Sequence, residues 1–129
     1  MKSTIHQEVS FGAPPSKVYR ALMSSEEHAL FTGAPADIKA ENGGSFSCYG
    51  GRVLGRNVEL VPDERIVQAW RPASWPEGVY SIARFELQAD GDNTRLVFDQ
   101  AGVPEKEIEH IDAGWHRMYW EPLRKYVEG

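Results

Sequence analysis

Along residues 104–127 apolar side chains return every three or four positions, at Ile108, Ile111, Trp115, Met118, Tyr119, Pro122 and Tyr126. That spacing places them on one wide face at the 3.6-residue period, with His110, Arg117, Glu121 and Arg124 opposite. Pro104 stands at a first helical position, and Glu105, Glu107 and Glu109 crowd the positive end of the helix dipole. One long amphipathic helix is predicted, and its apolar face needs something large to cover it. Two residues interrupt the pattern. Gly114 costs about 1 kcal/mol relative to alanine, and reads either as close backbone packing or as room left for a ligand. Pro122 lacks a backbone donor and its ring crowds the carbonyl of Met118, so a kink is expected there. Leu123, Tyr126 and Val127 continue the pattern, so the helix does not end at the proline.

The chain before this helix has a different rhythm. Ile5, Gln7, Val9 and Phe11 alternate with Thr4, His6, Glu8 and Ser10, the period-two signature of a half-buried strand. Pro14 and Pro15 break it, and Val18, Ala21 and Leu22 form one side of a short helix. Ser24 with Glu27 fits the box that caps a second short helix, which Gly33 can end in the left-handed conformation. Strands are then predicted over residues 37–41, 45–49, 53–61, 66–71, 79–88 and 94–101, punctuated by Asn42-Gly43-Gly44, Gly50-Gly51, Pro62-Asp63-Glu64 and Asp90-Gly91-Asp92-Asn93. The fold class this implies is α+β: an antiparallel sheet of six to seven strands curved around the final helix, with two short helices after the first strand. Residues 1–129 are expected to form a single domain, since no repeat, low-complexity stretch or linker divides them.

Charge removes some partners. The formal net charge is −5, which argues against nucleic acid or an anionic membrane surface, because both need a basic field. A single cysteine, Cys48, allows no intrachain disulfide. Neither a signal peptide nor a membrane-spanning window is expected, and cytoplasm is the predicted compartment.

Candidate chemistry is sparse. His6, His28, His110 and His116 do not stand at metal-ligand spacings, and His110 and His116 lie over about 100° apart on a helix, so no metal is expected. The phosphate-binding, dinucleotide-binding and nucleophile-elbow patterns are absent, and no cofactor is expected. Cys48 alternates with Phe46 and reads as a small inward apolar residue. Asp112 falls near the edge of the buried face, where a carboxylate needs a partner or a wet opening. Gln68, Arg84 and Asp99 point into the concave side in one register and away from it in the other. Trp75, in a loop beside two prolines, and Trp120, outside the main stripe, are anchors for a partner if exposed and packing residues if not.

Several runs resemble the C-terminal domain of the activator of the heat-shock protein 90 ATPase. They include Gly33-Ala34-Pro35-Ala36, Gly43-Gly44-Ser45-Phe46, Gly51-Arg52-Val53, Glu59-Leu60-Val61-Pro62, Ile66-Val67-Gln68-Ala69-Trp70-Arg71 and Ser74-Trp75-Pro76-Glu77-Gly78. Gly102-Val103-Pro104 and Gly114-Trp115-His116-Arg117-Met118-Tyr119-Trp120-Glu121 complete the pattern. The resemblance implies the helix-grip fold of START domains, in which a curved sheet holds a long C-terminal helix over a cavity. It also implies that the separate N-terminal domain of the full-length activator has no counterpart in this chain. Pro122 departs from the pattern, which carries a small flexible residue there.

Three functions follow as expectations. The first is a non-catalytic domain binding a small apolar or aromatic molecule in a cavity lined by Phe46, Gln68, Trp70, Arg84, Ile108, Ile111, Asp112, Trp115, Met118 and Tyr119. The second is a co-chaperone-like module binding heat-shock protein 90 and modulating its ATPase, with Trp75 and Trp120 as contacts. The third is a polyketide cyclase or hydratase using Asp112 or Asp99 as a cavity base. The sequence leaves monomer and dimer open.

Overall fold

The alternation of Ile5, Gln7, Val9 and Phe11 with polar residues becomes strand β1 (Thr4–Phe11), inward side chains buried and the others exposed. The computed structural model describes residues 4–129. After β1, Pro15 opens α1 (Pro15–Met23), and Ser24 caps α2 (Ser25–Thr32) by accepting a hydrogen bond from the Glu27 amide at 3.2 Å. Gly33 ends α2 at φ 73°, in the left-handed region where only glycine is unstrained.

A short β2 (Asp37–Ile38) and β3 (Ser45–Cys48) lead through a 3₁₀ turn at Tyr49–Gly51 into β4 (Val53–Val61), β5 (Arg65–Pro72), β6 (Ser81–Asp90) and β7 (Asn93–Ala101). The seven strands form one antiparallel sheet in the order β1-β7-β6-β5-β4-β3-β2. Every strand from β2 to β7 pairs with its sequence neighbour, so turn chemistry alone orders them; β1 closes the far edge against β7.

The sheet bends around the last helix. Phe11 of β1 lies 6.4 Å from the Trp120 ring and Trp70 of β5 lies 5.3 Å from Trp115, although β7 and β6 separate those strands. Strands on both sides of β7 and β6 thus reach adjacent indoles of the same helix. At Gly55 an added Cβ would fall 2.0 Å from the Ala69 carbonyl oxygen and 2.5 Å from the Phe46 ring, so this close approach admits only glycine.

After Pro104 and a 3₁₀ turn at Glu105–Glu107, the final helix runs as α3 (Ile108–Trp115), one π-helical turn at His116–Trp120, and α4 (Glu121–Glu128). The interruption expected at Pro122 is therefore met by a wide turn just before it, with the Glu121 amide bonding back to the His116 carbonyl. A wide turn relieves the clash between the proline ring and the carbonyl four residues earlier. That carbonyl, of Met118, accepts a hydrogen bond from the Tyr49 hydroxyl, which replaces the donor the proline lacks.

The wide turn also changes which residues face inward. Buried positions run Ile111, Trp115, Tyr119 and then Trp120, Leu123, Val127. Burial of the neighbours Tyr119 and Trp120 marks the slip of one residue in the helical stripe.

Candidate functional site

The final helix and the sheet leave a gap at one end of their contact. Trp70 and Pro72 of β5, Tyr49 and Val53 beside the 3₁₀ turn, and Ile111, Trp115, Met118 and Tyr119 of the helix enclose a cavity of about 470 Å³. Ala73, Ser74, Arg52, His110, Gly114 and Arg117 complete the lining. A Cβ added at Gly114 would meet nothing within 4 Å. The glycine therefore does not serve close backbone packing; it keeps a piece of the helix face open to the cavity.

A second, enclosed space of about 20 Å³ lies deeper, between Phe46, Gln68, Cys48, His28 and the inner faces of Trp70, Trp115 and Tyr119. Here the polar groups are neutral. Burial depresses His28 to about 4, and its Nε2 lies 3.1 Å from the Tyr119 hydroxyl. Burial likewise pushes the Cys48 thiol and the Tyr49 hydroxyl up to about 12, and Tyr119 well above the ordinary phenol range. An inert, protonated Cys48 agrees with its expected packing role.

Two glutamines on the sheet hold the two helix tryptophans. Trp115 donates from Nε1 to Gln100 Oε1 at 2.8 Å, and Gln100 donates to Ser81 Oγ at 2.9 Å. Trp120 donates to Gln7 Oε1 at 2.6 Å, and Gln7 donates to the carboxylate and the carbonyl of Asp112 at 2.8 and 2.9 Å. Gln7 faces inward, as the alternation in β1 required.

Of the ten residues expected to line the cavity, Trp70, Ile111, Trp115, Met118 and Tyr119 do so. Phe46 and Gln68 do not; both border the enclosed space, with Gln68 donating to Asn57 Oδ1 at 3.1 Å. Three expectations are corrected. Ile108 packs against the core one turn too early to reach the opening. Asp112 is held on the flank of the helix by Gln7, away from the cavity. Arg84 faces outward, because Ser81, Ala83, Phe85 and Leu87 are the inward positions of β6; across β7 it pairs with Asp99 at 3.6 Å. Asp99 also meets His6 Nδ1 at 2.6 Å on that outer face. Neither expected base borders the cavity, and no aspartate or glutamate lines it among the described residues. His110 and His116 are exposed, and no cluster fit to hold a metal ion exists among the described residues.

Trp75 and Trp120 are corrected as surface contacts: they are 6 % and 1 % exposed. Arg71 pins the loop by donating to the carbonyls of Trp75, Pro76 and Val79, which turns the Trp75 ring onto Trp70 at 5.9 Å. The π turn rotates Trp120 inward, where it stacks with Trp115 at 5.5 Å and 20°.

Sequence reasoning missed Tyr49, Arg52 and Arg117 in the lining. Tyr49 adopts φ 53°, so strand alternation stops at Cys48, and Arg117 sits in the π turn, where the 3.6-residue wheel no longer applies. The signal available was Pro122, whose missing donor called for a hydroxyl nearby.

Residues 12–128 match the family described as Activator of Hsp90 ATPase homolog 1-like protein. The chain belongs to this family. It is 34 % identical over 116 residues to the human activator of 90 kDa heat shock protein ATPase homolog 1, covering 90 % of this chain and 34 % of that relative. The homolog from Dictyostelium discoideum is 33 % identical over 122 residues, covering 94 % of this chain and 32 % of its own. The chain thus spans about a third of the length of the curated relatives it matches. An HSP90 activator from Plasmodium falciparum superposes with a TM-score of 0.90 at 20 % identity, over 97 % of this chain and 96 % of that one, so the helix-grip fold is common to both. No helix among the described residues is long and apolar enough to cross a membrane.

Proposed function

We propose that this member of the family is a non-catalytic binding domain whose cavity accepts a small apolar or aromatic molecule. One observation carries the reading: an aromatic-walled opening of about 470 Å³, onto which the helix presents a glycine with empty space where its side chain would be. That volume lies in the range of ligand pockets, and Trp70, Trp115 and Tyr119 offer flat surfaces against which an aromatic ring can stack. The cyclase or hydratase reading finds no carboxylate among the described residues that line the cavity to act as a base.

Native mass spectrometry of the purified protein, followed by thermal shifts with a panel of apolar and aromatic compounds, tests the proposal. A ligand at a hundred times its Kd should stabilise the fold by about 2.7 kcal/mol. Gly114→Leu, which builds a side chain into the empty space, should abolish that shift while the variant remains folded. Shifts that persist in Gly114→Leu, or that no compound produces, would sink the reading.

A second reading, a co-chaperone-like module acting on heat-shock protein 90, is favoured by the family and by the relatives' names. Trp75 and Trp120 are too buried to be its contacts. Purified chaperone that neither binds this chain nor changes its ATPase rate in its presence would exclude it.

A further inference from the structure

We infer that the ligand of this cavity carries a carboxylate beside its apolar or aromatic body, and that Arg52 and Arg117 are the residues that select it. This deepens the cavity reading proposed above and rests on it. The walls are apolar, but the rim is basic: Arg52 enters beside the 3₁₀ turn, Arg117 from the π turn, and the imidazole of His110 lies one helical turn before Gly114. Acidic residues outnumber basic ones, 19 to 14, over the whole chain, yet no aspartate or glutamate lines the cavity among the described residues. A random patch of this chain would lean acidic; this one holds only cationic and neutral groups.

The second observation is independent of the lining. Among the described residues, Arg52 and Arg117 are the two arginines whose guanidinium groups have no acidic or carbonyl partner. Every other arginine is engaged, from Arg20, bonded to Glu27 at 3.0 Å, to Arg124, which donates to the Ser10 carbonyl at 3.3 Å. Arg65 meets Glu59 and Glu86, Arg95 meets Glu8, and Arg71 holds three backbone carbonyls. Both free guanidiniums stand at the mouth of the same cavity, one on each wall. Arginine offers a planar fork of donors matched to a carboxylate, and at the rim it can hold that group while leaving it partly hydrated. A fully apolar ligand would leave the two cations without a role. An apolar acid places its body against Trp70, Trp115 and Tyr119 and its charge between the arginines.

Two probes of one shape separate the terms: 2-naphthoate, which is charged, and 2-naphthamide, which is not. Their affinities are read by titration calorimetry on the whole chain, for the parent protein and for Arg52→Gln/Arg117→Gln. Both positions are exposed and unpaired, so the double variant should keep the parent's melting temperature. The parent should bind 2-naphthoate roughly tenfold or more tightly than 2-naphthamide, with the advantage shrinking as salt rises. In the glutamine pair the preference should fall to within about twofold, with the amide's affinity unchanged, and Arg52→Lys/Arg117→Lys should restore part of it. Equal binding of both probes to the parent, or a preference that survives in the glutamine pair, overturns the inference and leaves the cavity reading standing. Binding of neither probe also overturns the inference, and the panel of compounds then decides the cavity reading separately.

Discussion

At the scale of single residues, His28 and Gly114 illustrate how environment decides what a side chain can do. His28 is 2 % exposed, surrounded by Phe31 and Tyr119, with its Nδ1 unpartnered, and burial holds it neutral with a value near 4 against an ordinary 6.5. The unfolded chain therefore binds a proton that the folded chain refuses. This contribution to stability is complete above about pH 6.5 and is lost as pH falls from there towards 4, amounting to about 2–3 kcal/mol by the lower end. Cys48 and Tyr119 stay protonated throughout that window and do not alter the sign. Urea unfolding at pH 7 and pH 4.5 should reveal the loss, and His28→Gln should reduce the slope; an unchanged slope would locate it in other groups. Gly114 is legible in the sequence only as an anomaly, since nothing in its neighbours distinguishes packing from space. With empty space around its Cβ position and a helical backbone, Gly114→Ala should stabilise the protein by about 1 kcal/mol, measured by the same unfolding.

At the scale of elements, the final helix departs most from its sequence pattern. The existence of the helix, its apolar face, the interruption near Pro122 and its continuation beyond were all legible from periodicity and from the chemistry of proline. The side on which Trp120 lies was not, because a π turn inserts one residue and every later position rotates by about 100° against an ideal wheel. The turn is tied to the sheet by the Tyr49 hydroxyl on the Met118 carbonyl. Tyr49→Phe should cost about 1–3 kcal/mol, since that carbonyl has no α-helical donor at Pro122 to fall back on. Pro122→Ala returns that donor, so the same Tyr49→Phe change should cost clearly less in its background. Additive effects in this double-mutant cycle would show that the hydroxyl does not substitute for the missing amide.

At the scale of the whole molecule, the grip on the helix consists of an aromatic cluster with two hydrogen bonds buried inside it. Trp115 lies 4.4 Å from Phe98, 5.3 Å from Trp70 and 5.5 Å from Trp120, and Gln100 and Gln7 satisfy the two indole N–H groups. Gln100→Leu would leave the Trp115 donor buried and unpaired, at a cost of about 1–3 kcal/mol. Trp120→Ala should cost about 3–5 kcal/mol, which thermal unfolding would detect; a loss under 1 kcal/mol would mean that the ring is not the core residue its burial indicates. The sequence by itself determined the order of elements, the meander, the caps of α2 and the presence of an apolar helix to be wrapped, because each follows from local periodicity and turn chemistry. Only the tertiary structure decided which side of β6 carries Arg84, where Trp75 and Trp120 point, and that Arg52 and Arg117 meet across one opening. Those outcomes depend on strand register, on one inserted helical residue and on contacts between positions about half the chain apart, and no short window of sequence contains that information.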